Sequence, residues 1–77
     1  MTYANTYRVI EKKSGGTLNF VRYAENEKDT DSEEVAERKR KAQAIRLRDN
    51  WVANVDPSLT LIVVKCDGMG HILDKVV

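Results

Sequence analysis

The sequence predicts an α+β fold: a four-stranded, mostly antiparallel sheet in the order ββαββ, with one long helix packed on one face. Three observations predict it. Two strand-like runs flank a Gly-Gly turn near the start, a charge-sorted helical pattern follows, and two more strand-like runs flank a glycine-containing turn near the end. Residues 1–77 read as a single small domain, without an internal repeat or a low-complexity segment.

Tyr3 to Lys12 and Thr17 to Ala24 are rich in Tyr, Thr, Val and Ile, and Lys13-Ser14-Gly15-Gly16 between them signals a hairpin. Period-two geometry puts Tyr7 and Val9 on one face of the first strand, and Leu18 and Phe20 together on one face of the second. The polar stretch over 25–30 holds no residue worth burying and reads as a mobile loop.

The helix is expected over Asp31 to Val55. Thr30, three residues before Glu33, has the spacing of a capping box, with Asp31 and Ser32 as rival caps. Glu33, Glu34 and Glu37 sit near the positive end of the helix dipole, and Glu34–Arg38 and Glu37–Lys41 are favourable i,i+4 pairs. Asn54, Asp56 and Pro57 mark the end, since proline cannot continue a helix and restricts the residue before it.

At about 100° per residue, Ala44, Leu47, Trp51 and Val55 form one apolar stripe, widened by Ile45 and Val52. Projected back, that stripe meets Glu37, Arg40 and Lys41, so the first half of the helix has little apolar surface to bury. A helix of this length spans roughly 37 Å, whereas a seven-residue strand spans about 23 Å. The expectation is a charged half that overhangs the sheet.

Ser58 to Cys66 contains the strongest strand, and His71 to Val77 a last one after the turn at Asp67-Gly68-Met69-Gly70. Leu59, Leu61 and Val63 fall on one face, and Ile62, Val64 and Cys66 on the other. A strand apolar on both sides is usually covered on both. With one helix available, the second face is either an exposed patch or an interface, which nominates Ile62 and Val64 for self-association as a homodimer.

A chain of 77 residues buries only about 60% of the surface its unfolded state exposes, so stability is marginal. Thirteen Lys and Arg against twelve Asp and Glu leave a net charge of +1, and any basic patch must be local. Cys66 is alone, which excludes an intramolecular disulfide and, with the absence of a signal-peptide pattern or a long apolar run, predicts a cytoplasmic location.

No residue set nominates an active site, a metal or a cofactor. One His and one Cys provide no zinc spacing. Glu25, Glu27, Asp29 and Asp31 alternate like calcium ligands, but no glycine makes the turn a calcium loop needs. Gly68 and Gly70 lead into a strand rather than a helix, unlike a phosphate loop, and His71 has no carboxylate, serine or cysteine at a pairing distance in sequence, with Asp74 on the opposite face of the strand. The chain is therefore expected not to be an enzyme.

What remains is binding. Lys39, Arg40, Lys41, Arg46 and Arg48 are the candidate partner-binding residues, able to meet an acidic protein surface or neutralise phosphates, although they wrap the helix rather than line one side. Tyr3, Tyr7 and Tyr23 could stack on bases if they shared the uncovered sheet face with Arg8 and Arg22, but the strands lack the aromatic-glycine pattern that sheet-face RNA binders show. The expected function is a small interaction module that binds a protein or protein–nucleic acid complex through the basic helix and sheet face. The alternative is a nucleic-acid binder using the helix alone. By analogy of size and fold, a phage or mobile-element inhibitor of a host nucleic-acid-handling or defence complex is its concrete form.

Overall fold

The computed structural model describes residues 5–67, 69 and 71–76. Strands β1 (Thr6–Glu11) and β2 (Thr17–Val21) are followed by helix α1 (Glu33–Asn54) and strands β3 (Leu61–Cys66) and β4 (Ile72–Lys75). The sheet is antiparallel throughout, in the spatial order β2-β1-β3-β4, and α1 packs on one face. The two hairpins thus meet in the middle of the sheet, where β1 pairs with β3.

The first hairpin closes where Gly15 takes a φ of 74°, a left-handed conformation that is strained for residues with a side chain. Its N–H bonds Glu11 O at 2.8 Å, and Glu11 N–H bonds Gly16 O at 2.9 Å. Further along, Val9 pairs with Asn19 and Ile10 with Thr17, which leaves Leu18 as an extra residue in β2. That bulge corrects the expected face assignment. Leu18 packs with the helix-side core, while Phe20, opposite Arg8, lies on the other face.

Helix-side packing unites Tyr7, Val9, Val21, Ala44, Leu61 and Val63, with Leu47, Trp51, Ile45, Val52 and Leu59 against them. The two-faced reading of β3 holds, because Ile10, Val64 and Cys66 form a separate buried cluster on the other face, with Ile62 against it. Val55, placed on the helix stripe by periodicity, is instead 62% exposed. It is the C-cap residue, past the last helical turn, so the stripe no longer carries it inward.

Ser32, rather than Thr30, caps α1: its Oγ accepts the Val35 N–H at 3.3 Å. The first turns do not overhang. Ala36 and Arg40 are buried, and Arg40 Nη1 donates to the Asn5 carbonyl at 3.0 Å, tying the helix to the entry of β1. The segment over 25–30 also corrects its reading as devoid of buried groups, since the Glu27 carboxylate is 4% exposed and held against Arg40. No helix among the described residues is long and apolar enough to cross a membrane.

Candidate binding site

The five helix cations do not form one surface. Arg40 is enclosed: its Nε and Nη2 each lie 2.8 Å from a Glu27 carboxylate oxygen, and Nη1 lies 3.0 Å from Glu33 Oε1. Lys39 Nζ is 2.7 Å from Asp31 Oδ2 and donates to Asn26 O. Arg48 pairs with its neighbour Asp49 at 2.8 Å. Lys41 and Arg46 are exposed and make no ion pair among the described residues.

These pairs leave their mark on the acids. The Arg40 guanidinium holds the Glu27 carboxyl below its ordinary range, and Lys39 does the same for Asp31. Glu37 is lowered first by Lys65, whose Nζ is 2.8 Å away, and also accepts hydrogen bonds from Tyr7 and Asn5. Burial, together with that bond to Glu37, pushes the Tyr7 hydroxyl up to about 12. The early helix is a polar core, bonded within the molecule. Glu27 and Asp31 are thus each paired with a different cation of the helix.

Charge is sorted differently across the sheet. Antiparallel pairing puts directly opposed residues on one face. Glu11 opposes Leu61 and Asp74 opposes Lys65, so both acids of the strands lie on the helix side. On the open side, Phe20, Arg8, Val64 and Lys75 form one row across all four strands. Arg8 and Lys75, two strands apart, stand roughly 10 Å from each other at the backbone.

Phe20 is the centre of this face at its β2 end. The Arg8 guanidinium carbon lies 4.6 Å from the ring centroid, and that of Arg22, just beyond the strand, lies 5.1 Å from it. Arg8, Arg22 and Lys75 make no ion pair among the described residues, and Arg8 Nε is buried without a hydrogen-bond partner. The row's floor is apolar, made by Ile10, Val64 and Cys66. Burial raises the Cys66 thiol, which keeps it a packed hydrophobe.

Of the residues nominated for self-association, Val64 is only 3% exposed and Ile62 packs against the same cluster. Tyr7 is buried on the helix side, and Tyr23 bonds Asp29 and the Glu27 carbonyl, so neither joins Arg8 on the open face. Tyr3, Gly68, Gly70 and Val77 lie outside the described residues. Sequence periodicity misses the stacking of Phe20 with Arg8 because the bulge that turns the ring toward it has no marker in the composition of β2.

His71 does find a carboxylate, contrary to its sequence reading. Asp67 Oδ2 lies 3.1 Å from His71 Nδ1, and Asp67 Oδ1 accepts the N–H groups of Met69 and His71. The pair clasps the second hairpin turn, in the manner of an Asx turn, and the ring is mostly exposed. A separate open groove of about 490 Å³ runs between β2 and the end of α1, lined by Asn19, Leu47, Asn50, Trp51, Asn54 and Val55. No protein-family profile, curated protein or solved structure matches this chain.

Proposed function

We propose that this chain is a non-enzymatic binding module that takes an anionic macromolecule on the open face of its sheet. The observation that carries the reading is the sorting of charge by face: the strand acids Glu11 and Asp74 lie on the helix side, whereas Arg8 and Lys75 lie on the open side with Arg22 beside them. Cations held on a low-dielectric apolar floor attract an anion more strongly than the same cations dispersed in water.

This moves the contact surface from the helix to the sheet. Lys39 and Arg40 are engaged within the molecule, and their release would strip Asp31 and Glu27 of their partners. A module that covers an anionic surface in this way keeps the occlusion role within the same reading.

Retention on immobilised heparin tests it. The double reversal Arg22→Glu/Lys75→Glu is expected to elute at clearly lower salt than the parent, and Lys41→Glu/Arg46→Glu, with the same change in net charge, to elute closer to it. Equal losses from both pairs would mean that net charge alone matters and would overturn the assignment to the sheet face.

A further inference from the structure

Resting on that reading, we infer that the anionic partner is a single-stranded nucleic acid, laid across the row Phe20–Arg8–Val64–Lys75 with a base against the Phe20–guanidinium stack. Three features narrow the polyanion to this class. The first is an aromatic ring with two guanidinium groups within 4.6 and 5.1 Å of its centroid, neither of them in an ion pair among the described residues. Single strands are held in this way, with phosphates on Arg or Lys and unstacked bases on aromatic rings or guanidinium planes. An acidic peptide supplies the charge but no planar group for the ring.

The second feature is shape. The row lies on a sheet face, and the extents of the molecule are 39 × 23 × 15 Å, with no element among the described residues standing out of that face to enter a duplex groove. Duplex bases stay stacked within the helix, out of reach of Phe20. The third is the floor. Ile10 and Val64 are buried beneath the row and give Arg8 and Lys75 a low-dielectric bed, while the partly buried Ile62 beside them is the member of this cluster with apolar surface left for a sugar or base edge. Stacking on one ring tolerates any base, so the inference is of a sequence-tolerant binder.

The test is fluorescence anisotropy with four labelled probes of matched length: oligo-dT, oligo-rU, a DNA duplex and an oligoglutamate peptide. Each is titrated with the parent, Phe20→Leu and Lys75→Ala proteins, and Trp51 fluorescence in urea confirms that each variant is folded. The expected result is binding of oligo-dT or oligo-rU in preference to the duplex, with a log–log salt slope of about −2 for three phosphate contacts on a single strand. Phe20→Leu is expected to weaken that binding about fivefold or more with the salt slope unchanged, because it removes stacking and not charge. Lys75→Ala is expected to flatten the slope by about 0.7.

Binding of the oligoglutamate peptide or the duplex in preference to both single strands would overturn the inference and leave the proposed anion-binding face standing. Single-strand binding that Phe20→Leu does not alter would also overturn it. Binding of none of the four probes would overturn both.

Discussion

Arg40 and Glu27 form a two-pronged ion pair that seals the underside of the early helix, with Nε–Oε1 and Nη2–Oε2 both at 2.8 Å and side chains only 5% and 4% exposed. It joins α1 to the connection that follows β2, and Arg40 also reaches Asn5 O, beside β1. The cost of burying two charges is offset only where the geometry is good and the remaining donors are satisfied. Here Glu33 and Asn5 satisfy the third guanidinium nitrogen.

Removing either partner strands the other charge. Arg40→Ala or Glu27→Ala is expected to cost about 3–5 kcal/mol in urea unfolding followed by Trp51 fluorescence. A domain of this size holds roughly 4–11 kcal/mol in total, so either variant sits near its unfolding threshold. The double variant Arg40→Met/Glu27→Leu is expected to be more stable than either single one. Additive losses in the double variant would show that the two side chains act separately.

The pH profile follows from the same contacts. Glu27, Asp31 and Glu37 have carboxyl groups lowered in the folded state, so their contribution is present above the ordinary carboxylate value and lost as pH falls through the folded values. Stability is expected to fall as the pH drops below about 4.5, the unperturbed glutamate value. Tyr7 acts in the other direction. Its hydroxyl is raised from 10.0 to about 12, so its contribution is complete below pH 10 and lost between pH 10 and 12. Tyr7→Phe is expected to shrink the loss of stability in that alkaline interval, measured by urea unfolding at each pH. An unchanged alkaline limb would remove Tyr7 as its source.

The position of the helix start is separable by substitution. Ser32→Ala is expected to destabilise the protein by about 1 kcal/mol, because Ser32 Oγ holds the Val35 N–H, whereas Thr30→Ala is expected to stay within about 0.5 kcal/mol. Urea midpoints at constant m-value decide between them. A larger loss at Thr30 would return the cap to the position that the capping-box spacing favours.

Much of this fold is legible where burial is apolar. The alternation in β3 separates Leu61 and Val63 from Ile62, Val64 and Cys66, and the structure sorts them the same way. Ala44, Leu47 and Trp51 likewise face the core. The early helix escapes such a reading because hydrophobic periodicity treats Arg40 as surface, and its partner Glu27 lies 13 residues away in a stretch that composition assigns to a loop. The proposed binding face is hidden for a different reason. Arg8, Phe20 and Lys75 belong to three strands, and only the pairing register and the bulge at Leu18 bring them into one row.

The central claim, that the open sheet face and not the helix meets the anion, is tested most directly by two-dimensional ¹H–¹⁵N NMR during titration with oligo-dT at low salt. The account predicts that amide shifts concentrate on Arg8, Phe20, Arg22, Val64 and Lys75, with Lys41 and Arg46 nearly still. Shifts centred on Lys41, Arg46 and their helical neighbours, with the Phe20 row unmoved, would contradict it.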